Sequence, residues 1–458
     1  MVVAVFGFFS FFILIRTLEP NTFGEWVLYI TAGNFIEMLR FGITRTAIIR
    51  FLSGAQGIEK EKLIGSNWII GLLSTLIIVV ILWLIYFLFP ESIDSSGYSL
   101  FFIWYPLLAL VNLPFNNALS ILHAEQKFDK ILYIRLLNVG AFVIFLIINI
   151  FIFQFGIFEI VIAHLVFNFL TSIICMLYKW DGIKYFFKAD RKTNKIILNF
   201  GKYTTGTLIG SNLLKSSDAF LIGLSAFMGT TGVALYSVPL KLTEILEIPL
   251  RSYVATAFPR MSKASIQNNI KEVKRIYYSY TGGLTFLLLP IIIIGFIFAE
   301  DFVILLGGKD YIETAGIFRV FCIYGLFIPI DKFTGVALDS INKPRKNFYK
   351  VVYMASANII GDSLVIFFIT KFLFIFSFIT LLPEYLNINI ISSISSQFAL
   401  FRGLELVSVI TILFTLIGVV VGINYLNSEI KINLKYIFIE GVNFYKYFFK
   451  DVKKYFVK

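Results

Sequence analysis

The sequence predicts an all-α, polytopic membrane protein of about 12 transmembrane helices arranged in two six-helix bundles. Three observations predict it. Of 458 residues, 58% are hydrophobic and only 15% charged, whereas soluble domains carry roughly a quarter charged residues; mean hydropathy is +0.84. Runs such as Ile69 to Leu88, Val139 to Phe153 and Leu284 to Phe298 are nearly uncharged, and about 20 apolar residues cross a bilayer core of roughly 30 Å. These runs also lack the alternation of an outer-membrane barrel, so helices must satisfy the backbone in lipid.

Apolar runs between polar punctuation place spans near residues 1–16, 24–44, 64–89, 98–122, 131–153 and 157–178, then 199–224, 232–258, 276–299, 314–338, 349–370 and 399–424. Residues 1–178 then form an N-terminal bundle and 179–198 a cytoplasmic linker. Residues 199–424 form a C-terminal bundle, and 425–458 a basic cytoplasmic tail. The first span is short because the chain opens inside it, with about 15 apolar residues before Arg16.

Charge fixes the expected orientation. With a cytoplasmic N-terminus, 29 of the 40 Lys and Arg fall in inside segments, Lys350 among them, and outside segments hold only Arg16, Lys309 and Lys371. That bias follows the positive-inside rule and places both termini in the cytoplasm. Basic loops beside anionic lipid also account for the net charge of +12 without nucleic acid.

Cys175 and Cys322 lie in apolar runs, so no disulfide framework or metal pair is expected. His123, in a predicted loop, and His164, in a helix, do not build a metal site.

A shift of 207 residues lays Leu14–Leu39 over Leu221–Leu246 with six identities, among them Tyr29 with Tyr236 and Glu37 with Glu244. Spans 1 and 2 thereby overlie spans 7 and 8. Parallel repeats of this kind are a transporter architecture, with the substrate path expected between the halves.

Charges inside spans are the candidate site, since each costs roughly 2.5 to 3.5 kcal/mol at a helix centre. Lys241, Glu244, Glu247 and Arg251 recur every three to four residues, forming one helical stripe. Two readings stand equal for it: internal neutralisation, or a face on a polar lumen. Glu37 with Arg40, and Lys215 with Asp218, are also three apart; Arg319 joins them, Asp331 and Lys332 lie deep in the tenth span, and Arg402 with Glu405 opens the twelfth. Pro106, Pro114, Pro239, Pro249, Pro290 and Pro329 read either as simple kinks or as bending points for alternating access.

Several short motifs resemble those of the Wzx-type oligosaccharide flippases, polysaccharide biosynthesis proteins of the multidrug/oligosaccharidyl-lipid/polysaccharide (MOP) exporter superfamily. They are Leu14-Ile15-Arg16-Thr17-Leu18-Glu19-Pro20 with Phe23-Gly24, Arg40-Phe41-Gly42-Ile43 and Arg50. The second half adds Asn199-Phe200-Gly201, Asp218, Gly232, Tyr236, Phe258-Pro259, Gly307-Gly308 and Tyr311. The chain departs from the family at its abbreviated first helix and at residues 371–397, read as an inserted polar outside stretch containing Glu384.

The resemblance implies a MATE-like fold and a non-enzymatic role. That role is moving a polyprenyl-diphosphate-linked oligosaccharide, an O-antigen or other surface polysaccharide unit, across the cytoplasmic membrane. It implies no cofactor, coupling to H+ or Na+, and membrane lipid and polysaccharide polymerase machinery as partners. Lys or Arg in a low-dielectric cavity suits an anionic diphosphate. Arg16, Arg40, Lys215, Lys241, Arg251 and Arg319 are the substrate-binding candidates; Glu37, Asp218, Glu244 and Glu247 would balance their charge or titrate with the coupling ion. A multidrug or cation antiporter and a peptidoglycan-precursor flippase of the same superfamily stay open, as does a membrane glycan polymerase or ligase.

Overall fold

The structure is a computed structural model describing residues 2–52, 55–381 and 388–456; side chains are described for these except 2–4, 43, 46, 50, 200–208, 211, 215, 380, 381, 388–390 and 447–456. Among the described residues every regular element is helical. The chain forms two compact units, Met1–Ala234 and Leu235–Lys458. The first holds α1 (Val2–Thr17), α2 (Pro20–Leu52), α3 (Gly57–Leu88), α4 (Pro90–Ser95), α5 (Ser99–Val111), α6 (Leu113–Ala124), α7 (Phe128–Ile148), α8 (Ile157–Leu177) and α9 (Arg191–Leu224). The boundary falls within α10 (Gly229–Ile266). There follow α11 (Ile270–Ile297), α12 (Ala299–Gly307), α13 (Ala315–Ser340), α14 (Pro344–Leu364), α15 (Thr370–Leu381), α16 (Ile388–Ile430) and α17 (Lys435–Phe456).

Among the described residues seven helices are long and apolar enough to cross a membrane, or eight if the bent pair α5 and α6 is one span. Four more helices stand where the expected spans 1, 2, 7 and 8 fall, without meeting that length and composition. The helix α1 is apolar but has 16 residues, whereas α2, α9 and α10, with 33, 34 and 38, have the length but carry charges. Outward faces confirm a lipid solvent: Leu73, Leu76, Ile77, Val80, Ile81 and Leu84 of α3 are all exposed. The protein is a multi-pass membrane protein.

In the first unit α2 packs along α9, α3, α5 and α6, and α7 packs against α1 and α8. His164 serves packing here, its ring set among Trp26, Tyr29 and Phe142, with the Tyr29 hydroxyl 3.2 Å from Nδ1. His123 lies in α6 rather than in a loop. In the second unit α13 and α16 pack together, with α11 and α14 alongside. Cys175 and Cys322 are buried and unbonded.

Both units repeat one contact. The two-turn 3-10 segment Ile183–Lys188 crosses the first part of α3 at Gly65, where a Cβ would overlap the Tyr185 carbonyl and the Ala189 amide. In the second unit α17 crosses α11 at Gly282, where a Cβ would overlap the Ile437 carbonyl and the Gly441 amide. Side chains lock each crossing: Trp68 Nε1 donates to the Asp181 carbonyl at 2.7 Å, and the Asn433 amide donates to the Tyr278 hydroxyl at 2.8 Å.

Three expectations are corrected. Residues 371–397 are not a polar outside loop: Lys371–Leu381 continues the eleventh span through the π-helical turn Val365–Ile369 and α15, and α16 already begins at Ile388. The segment Lys371-Phe372-Leu373-Phe374-Ile375-Phe376 is too apolar for a loop; Glu384 lies outside the described residues. Lys350 is not a loop residue but is buried in α14. The span at 98–122 is two helices meeting at 52° beside Asn112. Of the six prolines within the expected spans, Pro114 alone coincides with a break, standing in the first turn of α6. Pro106, Pro239, Pro249, Pro290 and Pro329 stay inside continuous helices.

Candidate functional site

The best-defined charged cluster belongs to the first unit. Arg40, on α2, is fully buried, and its guanidinium is shared among three elements. Nη1 donates to Glu37 Oε1 at 2.6 Å; Nε and Nη2 donate to Thr75 Oγ1 of α3 at 3.2 and 2.7 Å; Nη2 also donates to the Ala109 carbonyl of α5 at 2.7 Å. Glu37 is half-buried and accepts further from the Tyr105 hydroxyl at 3.4 Å and Asn116 Nδ2 at 3.2 Å. A charge in lipid is tolerable only when so satisfied.

The Ala109 bond has a second meaning. Ala109 lies in the last turn of α5, where carbonyls run out of intrahelical partners, and the broken helix exposes them in a medium without water. Arg40 takes Ala109 and Ser172 Oγ donates to the Val111 carbonyl at 2.6 Å, while the Asn112 carbonyl already accepts the Asn116 amide of α6 at 2.9 Å, with Asn116 Nδ2 beside it at 3.1 Å. A cation at a helix C-terminus also meets the negative end of its dipole.

In the second unit the α10 stripe is present and paired along its own axis. Lys241 Nζ lies 2.8 Å from Glu244 Oε2, and Arg251 Nη2 lies 2.7 Å from Glu247 Oε2. These are the pairs expected from the spacing, yet they are not closed off: the Arg251 side chain is 72% exposed and that of Glu244 53%. A 38-residue helix is about 57 Å long at 1.5 Å per residue, and these residues occupy its central turns.

The other candidates stand apart. Arg16 is exposed at the end of α1, over the Phe12 ring at 5.3 Å. Asp218 is buried in α9 beside Ser217, whose hydroxyl is 3.4 Å away. Lys215 lies on the same helix, its side chain outside the described residues. Arg319 is in the first turns of α13 and pairs with Glu300 of α12 at 2.8 Å, both exposed. Arg402 and Glu405 pair at 2.6 Å within α16.

One pair was invisible in the sequence. Lys350 Nζ donates to Asp331 Oδ1 at 2.8 Å and to the Asp331 carbonyl at 3.0 Å, with side chains only 3% and 7% exposed. It staples α14 to α13. The lone acid deep in an apolar span was the available signal, because such a charge demands a partner.

At helix ends, charges form looser networks. Glu125, between α6 and α7, lies 2.6 Å from Lys60 and 2.5 Å from Lys127. Partial burial pushes its carboxyl up, but the two lysines outweigh that and hold it below the ordinary range. Asp190 caps α9: its Oδ1 accepts the Thr193 amide at 2.8 Å, and Oδ2 meets Lys62 at 3.1 Å. The amide bond first, then the lysine, holds this carboxyl at about 2.

The first unit also contains a cavity of 790 Å³ between α2, the α4 turn, α5 and the end of α9. Phe35, Tyr98, Phe101, Phe102 and Phe220 line it, with Ser92, Ser95, Ser96 and Ser225 among the wall residues.

Comparison with solved structures finds this helix arrangement among known transporters. A multidrug-resistance MATE-family transporter of the MOP superfamily in an inward-facing conformation superposes with a TM-score of 0.71 at 14% identity, over 93% of this chain and 95% of that one. The lipid II flippase MurJ, in an inward closed conformation, superposes at 0.70 with 16% identity, over 97% and 89%. A MOP-superfamily transporter from Pyrococcus furiosus reaches 0.51 at 13% identity, over 94% of each chain. No curated protein matches the sequence significantly. Residues 13–316 match the polysaccharide biosynthesis protein family. With two thirds of its length in that match, the chain belongs to the polysaccharide biosynthesis protein family.

Proposed function

We propose that the protein is a flippase carrying a polyprenyl-diphosphate-linked oligosaccharide from the cytoplasmic to the outer leaflet of the cytoplasmic membrane by alternating access, with both termini cytoplasmic. One observation carries this reading beyond family membership. The four helices that fall short of a plain apolar span, α1, α2, α9 and α10, hold nine of the ten candidate residues; Arg319 alone lies elsewhere. Polarity concentrated on a few helices serves a polar path, since a lipid-facing helix gains nothing from it. Basic residues there suit the diphosphate.

Within this proposal the roles divide by availability. Arg40 is consumed by its partners and holds the α5 bend, so its part is to position Glu37. Arg251 is paired but exposed, Lys241 is paired and only partly exposed beside its exposed partner Glu244, and a phosphate can exchange for a carboxylate at each. Arg251 has the geometry to hold phosphate oxygens with two nitrogens at once. Glu37, Asp218, Glu244 and Glu247 balance these charges, and H+ or Na+ binding at one of them would couple transport to an ion gradient.

The direct test is a purified full-length chain in liposomes containing a fluorescent polyprenyl-diphosphate oligosaccharide, with an enzyme outside that modifies the glycan. Transfer dependent on the protein supports the proposal. Absence of transfer, with ethidium moved by the same liposomes, favours the antiporter.

A further inference from the structure

The second unit has a polar pocket of 740 Å³ where the C-terminal end of α10 and the start of α11 meet α17. Arg260 and Lys263 enter it from α10 and Arg275 from α11, accompanied by Gln267, Ser279 and Asn443. Two carboxylates share the space. Glu272 is committed to Arg275 through two bonds of 2.7 Å, and Glu440 comes from α17. Arg260 and Lys263 are exposed and make no ion pair among the described residues.

The helix beside the pocket places it in depth. Two residues along a helix turn it through about 200°, so Phe438 and Val442 project from the side of α17 opposite Glu440; they are exposed. Ile437 and Gly441 meet α11 at Gly282, and Tyr445 donates to the Phe286 carbonyl at 2.5 Å. Ile266, at the end of α10 beside the pocket residue Gln267, is 82% exposed. Large apolar side chains bordering a basic pocket are the arrangement of an interfacial helix, sunk to the boundary between headgroups and acyl chains.

We propose that this pocket binds the phosphate of a lipid headgroup, with Arg260 and Lys263 as the ligating cations. The inference goes beyond the transport reading: the pocket acts on lipid in the leaflet beside α17, which is the cytoplasmic leaflet on the orientation given above. Two sources supply the same chemistry, a bulk anionic phospholipid or the carrier lipid bearing its diphosphate. Three cations against two carboxylates leave a net positive site for either.

The test is lipid retention by the full-length protein in detergent micelles, read by native mass spectrometry. Dioleoyl phosphatidylglycerol, dioleoyl phosphatidylcholine and undecaprenyl diphosphate are the probes. The wild-type chain should hold phosphatidylglycerol over phosphatidylcholine. The double variant Arg260→Gln/Lys263→Gln should weaken that binding on the order of thirtyfold, about fivefold for each basic residue near a charged headgroup. Lys192→Gln, an exposed basic residue of the first unit, should leave it unchanged. Displacement of phosphatidylglycerol by undecaprenyl diphosphate in the wild type, lost in the double variant, identifies a carrier-lipid site; no displacement identifies a phospholipid site. Equal retention of both phospholipids, or full phosphatidylglycerol binding by a double variant of unchanged melting temperature, overturns the proposal. Glycan transfer measured on the same double variant separates this failure from failure of the flippase reading, because lipid retention needs no transport.

Discussion

Arg40 lies one helical turn after Glu37 and bonds it at 2.6 Å, yet its other nitrogens are spent on Thr75 and the Ala109 carbonyl, so the guanidinium ties three helices together. A group so placed is held by structure before it can serve transport. Arg40→Ala should therefore cost roughly 3 to 5 kcal/mol, the penalty of breaking a buried pair. The measurement is melting temperature and membrane abundance, and both should fall together. Arg40→Lys should rescue little, because an ammonium cannot reach all three acceptors in the planar geometry.

Arg251 should behave in the opposite way. Its ion pair with Glu247 is solvent-exposed, and exposed pairs contribute about 0 to 1 kcal/mol. Arg251→Ala should leave melting and membrane abundance near wild type while abolishing glycan export in a complementation assay. Arg251→Lys should retain part of the export if the residue acts as a point charge.

The Lys350–Asp331 staple predicts a non-additive pair. Lys350→Ala and Asp331→Ala should each destabilise the second unit by several kcal/mol, since each strands a buried charge. Lys350→Met combined with Asp331→Leu should recover most of the loss, because an apolar pair leaves nothing unpaired. Thermal unfolding of the three variants reads the difference.

Gly282→Leu should lift α17 from α11, because even a Cβ at this position overlaps the Ile437 backbone. Hydrogen exchange over residues 435–446 should rise while exchange in α13 stays slow. Unchanged protection of α17 would mean that the crossing is not what holds it.

Asp190 carries a pH dependence with a definite sign. Its pKa is about 2 in the folded chain against an ordinary 3.8. The cap thus contributes fully above about pH 4, and its contribution is lost as pH falls from there through 2. Amide exchange at the first turn of α9, corrected for intrinsic rate, should quicken over that window. Asp190→Asn, which keeps an acceptor but no charge, should abolish the step.

What the sequence disclosed follows from distance along the chain. Pairs three or four residues apart, Lys241 with Glu244, Glu247 with Arg251 and Arg402 with Glu405, were legible because helical geometry alone brings them together. The class and the approximate number of helices came from apolar length. Partners on other helices were not legible: Thr75 and Ala109 stand 35 and 69 residues from Arg40, and only packing selects them from many similar residues. The same holds for Glu300 with Arg319 and Asp331 with Lys350. At 371–381 the error was one of emphasis, since a few polar residues nearby masked a run dominated by Phe, Ile and Leu.

The 52° junction between α5 and α6 is an elbow set in place by its neighbours. A proline kink alone leaves carbonyls that water or a rearranged turn can satisfy in several geometries. Here Arg40 and Ser172, from two separate helices, each grip a carbonyl of the last turn of α5. Straightening the elbow would pull the Ala109 carbonyl from a charged donor with no water to replace it. Any movement of this part of the first unit should accordingly carry α2, α5 and α8 as one piece, and flexing is left to segments whose backbone bonds are complete without a side chain from elsewhere.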